Sequence, residues 1–157
     1  MMKWVGKYRD YAPVTLRLML GTTLLFAHGL PKLTNPGRWE REGEAMATFG
    51  ITFAPVFWGF MSGFSETLAG ICFWLGLAVR PMATLMLWVM FVATSRSFVM
   101  GGLAGLRGGN AHPIDFASGA LALLLLGAGK YSLDRKLGWW SESEVTQEPA
   151  QPRKMAV

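Results

Sequence analysis

Glu66 lies inside a long apolar run, and Gly59, Gly63, Glu66 and Gly70 follow one another at steps of four, three and four residues. On a helix that spacing makes one stripe of three small residues and a carboxylate, the face through which one membrane helix packs on another. An ionisable group at such depth is costly in lipid and faces a partner or a cavity. Two chemistries suit it: a proton or quinone-headgroup site, or an ion pair that only locks two helices together. At about 1.5 Å per residue Glu66 lies about 20 Å below the outer end of its run, and Arg17, entering from the other face, is expected at a similar level. A Glu66–Arg17 ion pair is therefore expected.

Arg17, Gly21 and His28 fall within about 40° of one another at about 100° per residue, so they share a face of the first apolar run. His28 and Lys32 stand near its outer boundary. The histidine suits either a proton donor or an interfacial ring bonded to a headgroup or carbonyl. At the start of the last run, Pro113 fits a first helical position and Asp115 the positive end of the helix dipole. Asp115, Ser118, Gly119 and Ala122 also form a small polar stripe, which turns the carboxylate toward the bundle. With Arg96 at comparable depth, His28, Lys32, Arg96, His112 and Asp115 are expected around a polar pocket open to the outer leaflet, suited to a substrate or a quinone. Met82, Met86 and Met90 step by four and would either line a site for a flat lipid-soluble ligand or simply pack.

The elements that must position these residues are apolar. Of 157 residues 52% are hydrophobic and 16% charged, with the charges falling mostly outside four blocks; mean hydropathy is +0.31. That distribution is the one a lipid solvent enforces. The expected fold is all-α, one bundle of four transmembrane helices over residues 12–30, 53–77, 82–100 and 113–129, within a membrane domain of residues 12–140. Pro31 and Pro36 punctuate the first block, Arg80-Pro81 separates the second from the third as a tight hairpin, and a glycine-rich stretch separates the third from the fourth. Residues 37–50, where Trp39, Met46 and Phe49 recur among charges, suit either an amphipathic helix on the outer surface or an irregular loop.

An even number of spans puts both termini on one side. Nine basic residues then stand on the terminal side (Lys3, Lys7, Arg9, Arg80, Lys130, Arg135, Lys136, Arg153, Lys154) against five on the other (Lys32, Arg38, Arg41, Arg96, Arg107). The excess predicts both termini in the cytoplasm, in a plasma (inner) membrane. Residues 1–11 form a basic cytoplasmic segment without a small-residue cleavage site after it, so the first block is expected to be kept as a helix. Residues 141–157, rich in Glu, Gln and Pro, are expected to be a disordered cytoplasmic tail. The net charge of +5 flanks spans and forms no stripe with interleaved aromatics, which excludes a nucleic-acid partner. Cys72 is the only cysteine, so neither an internal disulfide nor a two-cysteine redox cycle is available. No metal-ligand spacing, phosphate loop, dinucleotide fingerprint or serine elbow is present.

Leu16-Arg17-Leu18 with Gly21, and His28-Gly29-Leu30-Pro31-Lys32-Leu33, resemble the first helix of the DoxX family. Glu66 with Gly70, Leu75-Gly76-Leu77-Ala78-Val79-Arg80 and, past His112-Pro113, Gly127-Ala128-Gly129-Lys130-Tyr131-Ser132-Leu133-Asp134 continue the resemblance in order over residues 15–137. It implies a small four-helix membrane protein, associated in some relatives with quinone-linked thiosulfate oxidation and in others with thiol-redox and oxidative-stress complexes. Arg17, His28, Lys32, Glu66, Arg80 and His112 are the positions it singles out. Activity would need a second oxidoreductase subunit or a soluble redox protein.

The resulting expectation is a quinone-interacting oxidoreductase component in which Glu66, Arg17 and His28 form the catalytic group. Glu66 would handle protons, while Lys32, Arg96, His112 and Asp115 would attract an anionic donor or a quinone carbonyl. No covalent cofactor or metal is expected, and a homo-oligomer is compatible with the chain. Two other readings fit the same residues: a catalytically silent anchor for a redox partner, and a small proton-coupled exporter.

Overall fold

The computed structural model describes residues 8–105 and 112–139, and all the regular elements among them are helical. The basic segment up to Lys7 and the tail from residue 141 lie outside the described residues. A 3-10 turn at Arg9–Tyr11 leads into α1, which has three parts: α-helical Ala12–Thr22, π-helical Thr23–Gly29 and α-helical Leu30–Leu33. The widening has local causes. The Thr22 and Thr23 hydroxyls donate to the Leu18 and Met19 carbonyls at its start, and Pro31 beyond its end has no N–H and crowds the carbonyl four residues back.

After the 3-10 turn Pro36–Arg38 comes the short helix α2, Trp39–Gly43, continued by 3-10 turns over Glu44–Phe49 and ended by left-handed Gly50. Next follow α3, Pro55–Leu75, and α4, Val79–Gly105, whose helical path is broken at Gly102. Both are long and apolar enough to cross a membrane. The shorter apolar helix α5, His112–Leu126, and one closing turn, α6, Leu133–Lys136, complete the described chain. α4 begins at Val79 because Pro81 falls in its first turn, where the helix has no use for a backbone N–H.

The faces of the bundle follow the antiparallel glycine register between α1 and α3. A Cβ on Gly21 would strike the Gly70 carbonyl and Trp74, one on Gly29 would strike Thr67, and one on Gly63 would crowd Lys32. Small residues let the two backbones approach to that distance. Around the seam Leu24, Ala69, Phe73, Val79, Ala83, Met86, Met90, Ala120 and Leu123 form the core. Met86 and Met90 belong to this packing, and Met82 packs against it, so the methionine stripe of α4 is structural.

Several ionisable groups are buried while large apolar side chains cover the exterior. Arg17, Glu66, Thr67, Ser132 and Asp134 are buried, whereas Met19, Phe57, Trp88, Phe91 and Leu125 are at least half exposed. An apolar exterior of this extent, with ionisable groups held inside, is stable where the solvent is hydrocarbon.

At the end of the bundle where α3 turns into α4, Asp134 carries the fold. Its carboxylate accepts the Ala78 N–H at 2.6 Å and the Val79 N–H at 2.9 Å, and its own N–H donates to the Gly76 carbonyl. Ala78 sits at φ 48° and Gly76 at φ 66°, so the turn is held by these bonds in a region that L residues seldom adopt. Arg17 reaches into the same knot, donating from Nη1 to the Phe73 carbonyl at 3.3 Å and from Nη2 to the Tyr131 carbonyl at 2.7 Å. Each charge-assisted bond contributes about 1.5–3 kcal/mol. Asp134→Ala is expected to lower stability by about 2–4 kcal/mol, and Asp134→Asn, which keeps one acceptor, by less; denaturation in mixed micelles reads both.

Candidate functional site

The Lys32 ammonium donates to Glu66 Oε1 at 2.7 Å, with Glu66 2% exposed and Lys32 17%. This overturns the expected Glu66–Arg17 pair. The register that sets Gly21 on Gly70 and Lys32 on Gly63 places Arg17 against the end of α3, at Phe73 and Gly76, and brings the C-terminal end of α1 to Glu66. Equal depth from opposite faces fails as a guide because Arg17 stands only five residues inside the first helix, while Glu66 is eleven short of Leu77.

Lys32 is aimed at Glu66 by the backbone around it. Gly63 leaves room for its stem, and its carbonyl accepts the Trp39 indole N–H at 2.8 Å. The second carboxylate oxygen, Glu66 Oε2, is buried without a hydrogen-bond partner among the described residues. An unpaired carboxylate oxygen at such a position costs free energy unless a ligand or a proton uses it.

Lys32 and Glu66 form the polar end of a cavity of about 960 Å³ between the N-terminal half of α3 and α4 from Leu85 onward. From α3, Trp58, Ser62 and Ser65 share the inward face with Glu66; from α4, Leu85, Val89, Val92 and Arg96 face them at helical spacing. The segment from Arg41 to Met46 covers the cavity at the end away from the α3–α4 turn. It is pinned to both helices: a Cβ on Gly43 would collide with the Pro55 carbonyl, one on Gly59 with the Trp39 carbonyl, and Arg96 Nη1 donates to the Arg41 carbonyl at 2.6 Å.

Five of the seven expected site residues, His28, Lys32, Glu66, Arg96 and His112, line this one cavity. His28 stands edge-on to Phe116 with ring centroids 4.9 Å apart. Arg96 Nη2 lies 3.7 Å from Glu44 of the cover. Asp115 is not among the lining; it is exposed, with Oδ2 4.0 Å from His112 Nδ1, in keeping with its place in the first turn of α5. Arg17 belongs to the knot at the other end, and Arg80 donates to the Leu124 carbonyl at 3.3 Å, so neither reaches the cavity. Residues not anticipated from sequence include Arg41, Trp58, Ser65 and Trp88. The α3 members were within reach, because Trp58, Ser62, Ser65 and Glu66 obey one helical period. Among the described residues no group of three or more His, Cys, Asp or Glu is arranged to hold a metal ion.

A helical bundle with an apolar exterior and a buried ion pair at the head of an amphipathic cavity defines a small integral membrane protein with a cavity among its helices. The DoxX family pattern matches residues 12–102, and the chain belongs to that family. It is also similar to an uncharacterized membrane protein of Mycobacterium tuberculosis, 32% identical over 139 residues and covering 79% of this chain and 80% of that one. No solved structure matches.

Removing one member of a buried pair leaves an uncompensated charge, whereas removing both does not. Lys32→Met alone is expected to destabilise by about 3–5 kcal/mol, and Lys32→Met with Glu66→Leu to recover most of the loss. A double-mutant cycle of denaturation midpoints measures the coupling.

Proposed function

We propose that this DoxX-family protein is the membrane-embedded, quinone-binding component of an oxidoreductase system. The observation that carries the reading is the cavity of about 960 Å³ with Lys32–Glu66 at one end and Trp58 and Trp88 in its walls. A flat ring with a carbonyl at its edge suits that division, since aromatic and aliphatic walls take the ring while a few polar groups fix its orientation.

The residues present fit such a ligand. Lys32 supplies a donor for a carbonyl oxygen, and Glu66 Oε2, unpartnered and buried, is placed to hold a proton beside it. His28, on the same wall, is a second group able to exchange protons with the outer side. The Arg41–Met46 cover keeps bulk water from the pair, which strengthens each electrostatic interaction inside. When bound, a quinone supplies the two-electron acceptor that this chain, with its single cysteine, does not carry. Electrons would come from a second subunit or a soluble redox protein, with Arg41 and Arg96 drawing an anionic donor toward the cover.

In this reading α1, α3, α4 and α5 are the four spans, both termini are cytoplasmic, and the cavity lies in the outer leaflet of the plasma membrane. Support comes from the nine-to-five distribution of basic residues across the spans. α5, with 15 residues, reaches about 22 Å at about 1.5 Å per residue and is the span most dependent on its flanks.

Two experiments test these statements. Solvent extraction of the purified protein followed by mass spectrometry is expected to yield near-stoichiometric quinone, lost in Glu66→Gln and reduced in His28→Ala; quinone at the lipid background in the wild type would exclude the reading. In a Cys72→Ala background, Glu40→Cys is expected to react with an impermeant maleimide added outside intact cells and Lys136→Cys only after lysis. The reverse pattern would invert the topology.

A further inference from the structure

The cavity has two boundaries through which a ligand could pass, and they differ in construction. Toward the outer water stands the Arg41–Met46 cover, fastened to α3 by the backbone contacts at Gly43 and Gly59 and to α4 by Arg96. Opening it would break a hydrogen bond to a charged donor and two close glycine contacts. Toward the lipid stands the seam between α3 and α4. The two helices are joined at Gly76–Ala78 and packed there through Phe73, Val79 and Ala83, all fully buried. Farther along both helices contribute side chains to the cavity lining.

The side chains that edge this seam are apolar and half in lipid. Phe57 is 51% exposed and Trp88 56%, yet both also line the cavity. Each therefore presents one surface inward and one to the bilayer, so the cavity wall runs without a polar barrier into the lipid-facing surface. Trp88 is backed by Phe91, at 5.8 Å between centroids, and Phe49 lies against Phe91 at 5.7 Å. The backbone at the seam is helical on both sides and already hydrogen-bonded, so parting the side chains exposes no polar backbone to hydrocarbon.

We infer that the ligand enters sideways from the outer leaflet through the α3–α4 seam, and that it is a lipid-dissolved amphiphile whose apolar tail stays in that seam between Phe57 and Trp88. The inference rests on the cavity being a ligand site, as proposed above, and adds the class of ligand: one with a long apolar tail, not a small water-soluble molecule. The polar head meets Lys32 and Glu66, and the tail needs no enclosed space because the membrane supplies its solvent. The cover then serves to separate the ion pair from water and is not a door.

The test uses the full chain reconstituted in phosphatidylcholine and phosphatidylglycerol vesicles. The probe is a benzoquinone with a decyl tail ending in a photoactivatable diazirine. After illumination, peptide mapping is expected to place the label on α3 and α4 near Phe57, Met61, Leu85 or Trp88, and an excess of unlabelled decyl-benzoquinone is expected to reduce it at least tenfold. Chaseable label on the Arg41–Met46 segment would overturn lateral entry while leaving the cavity as a quinone site. Label that no competitor chases would sink both the inference and the site reading. Leu85→Trp, which adds bulk on the α4 wall of the cavity, is expected to slow chaseable labelling at least fivefold; unchanged labelling by a variant whose helical circular dichroism matches the wild type would count against the seam.

Discussion

Inside hydrocarbon a polar group has no water to turn to, and every donor or acceptor carried there must find its partner within the protein. That constraint organises the whole molecule. It explains why the polar side chains that are buried, such as Arg17, Glu66 and Asp134, sit where protein groups meet them, and why the turn between α3 and α4 is bonded by a side chain from the far end of the sequence. It also sorts the charged residues into two centres with different characters.

At one end, Asp134 accepts two backbone N–H groups and Arg17 donates to two backbone carbonyls. Both charges are spent on main-chain groups and on each other's field, and what they gain is the geometry of a turn. At the other end Lys32 and Glu66 satisfy each other through one oxygen while the second faces no partner among the described residues. The same residue classes, a cation and a carboxylate under little exposure, thus act as a fastener in one place and as a receptive surface in the other. The difference lies in the adjoining space: Arg17 Nε and Glu66 Oε2 are both buried without a hydrogen-bond partner among the described residues, and of the two residues only Glu66 lines the cavity.

Much of this was legible in the residues. Glu66 on a glycine stripe, a tight hairpin between the second and third blocks, and the convergence of His28, Lys32, Arg96 and His112 follow from helical periodicity and from the cost of charge in lipid, although the turn itself is Gly76–Ala78 and Arg80-Pro81 already belongs to the first turn of α4. The partner of Glu66 was not, because depth estimates depend on where each helix meets the membrane, whereas pairing depends on the glycine register, which only the packed backbones define. Asp115 illustrates a second limit: a first-turn carboxylate satisfies the helix dipole without needing a pocket, and periodicity cannot tell the two apart. Asp134 drew notice only as the last residue of a family motif. Its bonds to Ala78 and Val79 span more than fifty positions, and no local pattern announces them.

The π-helical stretch Thr23–Gly29 has a consequence for how the chain can vary in length. It joins the part of α1 that carries Arg17 to the part that carries Lys32, and its wide turns change the angle between them relative to a regular helix. Losing one residue there would let the α ladder run on, turning Lys32 by about 100° about the axis and drawing it about 1.5 Å back. Both centres would keep their residues and only their relative phase would change. A change in the number of residues there would therefore disturb the Lys32–Glu66 pair even with every side chain kept.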